Sequence, residues 1–158
     1  MFEIKKYPDK ILRRKCKPVE KITPKEAKLF KDMLGLMLNS SGIGLAAPQL
    51  GINLRMIVAD IGASPVFLAN PQVVKAQGNA KMEEGCLSVP QVTVVINRPD
   101  KITVQGLDEN NQLIEIQAHG LLARVILHEI DHLNGKLILD YMSFLQRLRS
   151  KLRCSKKS

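Results

Sequence analysis

No stretch constrains this chain more than Leu121 to Gly135, LLARVILHEIDHLNG. Leu121, Leu122, Val125, Ile126, Leu127, Ile130 and Leu133 leave almost no polar face, and a helix apolar nearly all round belongs inside a fold. Asn134 and Gly135 supply a left-handed stop at its end. Into this apolar surface are set His128, Glu129, Asp131 and His132, a poor choice for a buried helix unless those groups coordinate or hydrogen-bond something. His128 and His132 are four apart and share one face, so both imidazoles can reach a single metal ion. Glu129 is rotated by roughly 100° and can address water there without being a ligand. The pattern H-E-x-x-H is the arrangement for metal-assisted hydrolysis, although five positions with three specified also arise on unrelated helices.

Two imidazoles are too few, so a third ligand is needed. Metzincin proteases continue H-E-x-x-H-x-x-G-x-x-H, and Gly135 fits, but Ile138 stands where the third histidine would be. The other large protease group takes a downstream glutamate, and none follows Glu129. Cys86, His119, Asp140, Cys16 and Cys154 remain. Cys86 lies in Glu83 to Pro90, EEGCLSVP, a segment expected to be irregular and closely packed. A lone cysteine is commonly a small buried hydrophobe. Beside an unfilled two-histidine site, thiolate ligation is the better reading, and a Cys-His-His set with one open position suits a catalytic metal.

The 158 residues predict one domain over 1–158. Three cysteines without a pattern argue against a disulfide framework and for a reducing compartment. The opening MFEIKKYPDKILRRK is charged every few residues, unlike a signal peptide, and no run approaches the ~20 apolar residues of a membrane span. The expectation is a cytoplasmic protein with no membrane and no specific DNA partner. The net charge of +9 is concentrated at the ends. Lys5, Lys6, Lys10, Arg13, Arg14, Lys15 and Lys17 crowd the start, and Arg147, Arg149, Lys151, Arg153, Lys156 and Lys157 the finish. Such a balance suits either an anionic partner such as RNA or a solvated surface.

Thr23-Pro24-Lys25-Glu26 is a capping box with proline at the first helical position. Leu29, Met33, Leu36 and Met37 then give a core-facing stripe to about Leu38. Gly42 to Ile52, GIGLAAPQLGI, is rich in small residues, so backbone there can approach a ligand or another strand. It lacks a phosphate-loop signature. Gln49 is its only strong side-chain hydrogen-bond donor. Strands are predicted at Leu54 to Ala59, Val66 to Ala69 before an Asn70-Pro71 turn, Val92 to Ile96, Ile102 to Gln105 and Leu113 to Gln117, the last two as a hairpin. The fold class is α+β: short, mostly antiparallel strands around the buried helix, with an N-terminal and a C-terminal helix. The latter is expected from Tyr141, with Tyr141, Leu145, Leu148 and Leu152 docked and basic residues opposite, forming a basic tail over about 141–158.

Three stretches, Gly42-Ile43-Gly44-Leu45-Ala46-Ala47-Pro48-Gln49, Glu84-Gly85-Cys86-Leu87-Ser88 and His128-Glu129-Ile130-Asp131-His132, resemble in order and spacing the three motifs of peptide deformylases. Tyr7-Pro8-Asp9-Lys10-Ile11-Leu12-Arg13 is similar to that family's opening. The resemblance implies removal of the N-formyl group from N-formylmethionyl nascent peptides. One divalent metal ion, Fe²⁺ natively with Zn²⁺, Ni²⁺ or Co²⁺ as substitutes, would be held by Cys86, His128 and His132. Glu129 would be general base and then acid as hydroxide generated at the metal attacks the formyl carbon. The Gln49 side chain and the Leu87 backbone N–H would steady the oxyanion. Ile43, Gly44 and Val125 would wall the substrate, and Glu84 would tie the cysteine segment to Arg98 or Arg124 or simply face solvent. The sequence departs from the pattern at Leu127, where glutamine is usual, at Gln91, where glycine is frequent, and at His119, where an acidic residue is commoner. In some bacterial relatives a basic C-terminal helix contacts the ribosome, which is a further candidate partner. A zinc-dependent peptidase and a catalytically silent, basic ribosome- or RNA-binding relative are the competing readings.

Overall fold

The computed structural model describes residues 2–155 and the side chains of 2–149. Helix α1 (Pro24–Asn39) starts as its capping box requires. The Lys25 N–H donates to Thr23 Oγ1 at 3.3 Å, and the Glu26 carboxylate accepts from the Thr23 N–H at 3.0 Å and from its hydroxyl. The helix buries Phe30, Met33 and Met37 against Leu45, Met56 and Val58, with Leu29 and Leu36 at the margin. Phe30 meets Phe67 at a tilted 5.4 Å between centroids, a favourable geometry for two aromatic quadrupoles.

Five strands form one antiparallel sheet: β1 (Gly44–Ala46), β2 (Met56–Ala59), β3 (Val66–Gln77), β6 (Lys101–Leu107) and β7 (Leu113–His119), in the order β1-β2-β3-β6-β7. A separate hairpin pairs β4 (Ala80–Cys86) with β5 (Val89–Arg98). Strands β6 and β7 form the expected hairpin. The turn predicted at Asn70-Pro71 does not end its strand. The register against β6 shifts between Ala69 and Gln72, Asn70 takes φ 50°, and β3 continues to Gln77. The Asn70 side chain makes that bulge sustainable, because its amide accepts from the Val19 N–H at 2.8 Å and donates to the Val19 carbonyl at 2.7 Å. Gly106 leaves the room, since a Cβ there would stand 2.8 Å from the Ala69 carbonyl.

The segment around Cys86 is not irregular as expected: Cys86 is the last residue of β4, followed by the two-residue turn Leu87-Ser88 into β5. Ala-Lys-Met-Glu-Glu-Gly-Cys contains no β-branched residue and no clean alternation, so it carries little strand signal of its own. Its partner β5 supplies the β-branched residues and the ladder.

Helix α2 (Gly120–Leu133) carries H-E-x-x-H and packs Ala123, Ile126 and Leu133 among Ile57, Leu68 and Val104. Leu127 packs, partly buried, on the same apolar cluster. The helix stops at Asn134, and Gly135 takes φ 72°, where a Cβ would collide with the Arg13 carbonyl. Beyond it the prediction needs correcting. Tyr141 closes a 3-10 turn (Ile138–Tyr141), and helix α3 begins only at Phe144 and runs to Ser155. Leu145 and Leu148 are 65% and 49% exposed, so the face expected to dock is open to solvent. Leu152 lies outside the residues whose side chains are described. No helix among the described residues is long and apolar enough to cross a membrane.

Candidate metal centre and active site

Strand geometry places the first group of residues. Side chains two apart on a strand share a face, so Met82 and Glu84 turn the same way from β4; the register shifts between Glu84 and Cys86, yet Cys86 lines the same cavity, and the site lies between them and α2. Cys86 Sγ stands 3.3 Å from His132 Nε2. Cys86, His128 and His132 each bring a ligand atom within 4.8 Å of the others. The other candidates for third ligand are elsewhere. His119 is exposed at the head of α2, Asp140 is paired with Arg13 at 2.6 Å, Cys16 is buried in the apolar core, and Cys154 lies outside the described side chains.

A donor set of one sulfur and two imidazole nitrogens suits a tetrahedral ion. With ligand bonds of about 2.0–2.3 Å, such an ion separates its ligand atoms by roughly 3.5 Å. The sulfur-to-nitrogen distance at His132 is of that size. His128 is oriented from behind: its Nδ1 meets Glu84 Oε2 at 2.9 Å, which leaves Nε2 for an ion. This carboxylate–imidazole arrangement fixes tautomer and ring plane.

Glu84 does more than face a neighbour. Arg98 binds it with two nitrogens, Nε to Oε1 at 2.6 Å and a terminal nitrogen to Oε2 at 2.9 Å, and Arg124 reaches Oε1 at 2.7 Å. Both expected arginines are engaged, so a solvated role is excluded. Arg98 also reaches Asp131 at 2.9 Å, which accepts from the Tyr141 hydroxyl at 2.6 Å. Asp131, the acidic residue set into the apolar surface of α2, is thus satisfied by one guanidinium and a phenol.

Gln49 sits in a 3-10 turn (Ala47–Leu50) directly after β1 and is buried. Its Oε1 accepts from the Ala46 N–H at 2.8 Å, which aims Nε2 into the site. That nitrogen lies 3.1 Å from Ser88 Oγ and 3.9 Å from Cys86 Sγ. Glu129 is also buried, and its Oε2 has no hydrogen-bond partner among the described residues. Gly44 makes room for it: a Cβ there would collide with Glu129 Oε1 and stand 2.6 Å from Val125 Cγ1.

Ionisation follows from these surroundings. Burial pushes the Glu129 carboxyl up to about 7. Burial also works against charge on Glu84, but hydrogen bonds from His128 and Arg98 outweigh it and hold the group at about 2. His132 is held well below the ordinary imidazole range, first by burial and then by the neighbouring His128 charge. For His128 burial is opposed by contacts with Cys86 and Glu84, which raise it to about 10.

A cavity of about 380 Å³ opens over this centre. Ile43, Gly44, Gln49, Cys86, Leu87, Val125, His128 and Glu129, eight of the nine residues singled out from sequence, line it. The ninth, His132, is buried immediately behind. Met82 and Leu121, which also line the cavity and are 44% and 42% exposed, were not foreseen, nor was the contact of buried Ser88 with Gln49. Met82 is signalled by its spacing, two residues before Glu84 on the same strand.

Fold and donor set together define a hydrolase of the metal-binding class. The family model described as polypeptide deformylase matches residues 1–148. A peptide deformylase of Hydrogenovibrio crunogenus is 45% identical over 152 residues, covering 94% of this chain and 90% of the relative. One from Clostridium botulinum is 47% identical over 137 residues, 87% of this chain and 93% of its own. The crystal structure of a peptide deformylase from Legionella pneumophila superimposes with a TM-score of 0.93 at 40% identity, covering 99% of this chain and 94% of that one. The chain belongs to the peptide deformylase family.

Proposed function

We propose that this enzyme removes the N-formyl group from N-formylmethionyl nascent peptides, releasing formate. The observation that carries the reading is the convergence of Cys86, the His128 imidazole, an unpartnered Glu129 oxygen and an oriented Gln49 amide on one cavity, with the His132 imidazole buried against Cys86 behind it. Cys86, His128 and His132 would hold one divalent ion, with Fe²⁺ as the proposed native metal and Zn²⁺, Ni²⁺ or Co²⁺ as substitutes. Such an ion would supply Lewis acidity, which lowers the pKa of water from near 16 to about 7.

The chain's own groups do the rest. Glu129 Oε2 takes a proton from the attacking water and returns it to the nitrogen of the leaving amine. Gln49 Nε2 and the Leu87 N–H donate to the oxygen that becomes negative, a contribution on the order of 3 kcal/mol each. Ile43, Gly44 and Val125 wall the substrate. Among the described residues β1 ends the larger sheet and β4 pairs only with β5, so both offer an unpaired edge beside the cavity. An extended peptide is the form of substrate such edges suit.

Metal-loaded protein prepared without oxygen, incubated with formyl-Met-Ala and with a peptide offering only internal bonds, is the test. Formate from the first alone is expected. New amines from the second would favour a peptidase, and no product from either a silent relative. Glu129→Ala should keep the metal and lose at least about 100-fold in turnover, whereas Cys86→Ala should lose metal. Full metal content in the second variant overturns the ligand assignment.

The cytoplasm, where nascent chains emerge, is the proposed location, and the ribosome a proposed partner through α3. Exposed Phe144, Leu145 and Leu148 beside Arg147 and Arg149 support that contact. Co-sedimentation with ribosomes should fall on deleting residues 146–158, and equal binding removes the idea.

A further inference from the structure

We infer that Lys6 is a positioning residue for the oxyanion donors, acting through the Leu87 carbonyl. The inference rests on the deformylase reading for its catalytic consequence, though not for its structural one. Gln49 follows β1 of the larger sheet, and Leu87 follows β4 of the separate hairpin. Among the described residues no strand ladder joins the two sheets, so no ladder sets the distance between the two donors that must meet one oxygen.

The N-terminal segment bridges them instead. The Lys5 N–H donates to the Gln49 carbonyl at 2.7 Å, and the Tyr7 N–H donates to the Ser88 carbonyl at 2.8 Å. Between them Lys6 Nζ donates to the Leu87 carbonyl at 2.6 Å across 81 positions of sequence. Three consecutive residues thus clip both site turns. The successive carbonyls of Leu87 and Ser88 are tethered, so the two peptide planes cannot turn independently. The Leu87 N–H is separated from its tethered carbonyl by only that residue's own two backbone torsions, and restraining one restrains the aim of the other.

Lys6 is the member of the clip that a side-chain change can remove, and it is charged. A charge-assisted hydrogen bond is roughly twice as strong as a neutral one. Lys6 forms no ion pair among the described residues that would compete for it. Its exposure lets solvent weaken the bond, so the effect is on aim rather than on folding. Misplacing a reacting geometry by a fraction of an ångström is enough to slow chemistry.

The test compares wild type, Lys6→Met and Lys6→Arg as full-length, metal-loaded protein. Lys6→Met should lower kcat by about 3- to 10-fold with KM within about twofold, the signature of a contact felt in the transition state. Metal content and Tm should be unchanged, and Lys6→Arg should restore kcat. Amide hydrogen exchange without substrate should quicken in peptides spanning 84–92 and 47–52 of Lys6→Met, and not in α1. Unchanged exchange in both turns, wild-type kcat in Lys6→Met, or a loss that arginine does not repair would each overturn the inference. Because exchange is read without turnover, a wild-type protein that releases no formate counts against the proposed function alone.

Discussion

Glu84 shows how much one side chain can be asked to do. Its two oxygens take hydrogen bonds from Arg98, Arg124 and His128, and it is 6% exposed. A neutral amide of the same shape would leave two guanidinium groups in the interior without their counter-charge. Breaking a buried pair from one side costs about 3–5 kcal/mol, so Glu84→Gln should lower the urea-unfolding free energy by about 3 kcal/mol. The pH dependence carries the same sign. A carboxyl held at about 2 when folded, against an ordinary 4.5, stabilises above pH 4.5 and loses that contribution as pH falls toward 2. The variant should therefore lose less stability over that interval than the wild type, and parallel acid profiles would refute the network's role. Sequence named Arg98 and Arg124 as partners but left a solvated Glu84 open, because burial of a charge is a property of the packed structure.

Elements were legible where local chemistry and tertiary need agreed. Helix α1 announces itself by its capping box, and α2 by an apolar surface too continuous for anything but the interior. Strand β4 was missed because its ladder comes from β5, and β3 was cut short because the Asn70-Pro71 pair reads as a turn when its partners, Val19 and the gap at Gly106, are not in view. Tyr141 was placed on the last helix because it fits the i, i+4 stripe, whereas its hydroxyl is taken by Asp131. Two glycines make the contrast measurable. A Cβ at Gly35, inside α1, meets nothing within 4 Å. Gly35→Ala should stabilise by about 0.5–1 kcal/mol through helix propensity alone. A Cβ at Gly106 meets the Ala69 carbonyl at 2.8 Å and Leu68 Cδ2 at 3.1 Å. Backbone cannot yield there as a side-chain tip would, and Gly106→Ala should destabilise by about 1–3 kcal/mol. Thermal or urea melts of the two variants moving in the same direction would contradict this account of the β3 bulge.

At the scale of the whole molecule, the β4–β5 hairpin and the five-stranded sheet are separate hydrogen-bonded units that meet at α2. Arg98 to Asp131, Glu84 to Arg124 and His128, and Gln49 to Ser88 cross that junction. So would an ion on Cys86, His128 and His132, with its sulfur from the hairpin and both nitrogens from the helix. Under the proposed ligand set, the ion joins the two units in addition to serving the chemistry. Saturation at 1,000 times the dissociation constant stabilises by about 4 kcal/mol, so chelation should lower Tm and hasten amide exchange first in β4 and β5. The cysteines report the same event independently. Cys86 should react with iodoacetamide in chelated protein and be protected when metal is restored. Cys16, 4% exposed and with its thiol pushed up to about 11 by burial, should stay unmodified in both states. Mapping the labelled peptides by mass spectrometry separates the two sites, and equal labelling of Cys86 with and without metal would mean that the hairpin and α2 are not joined through an ion.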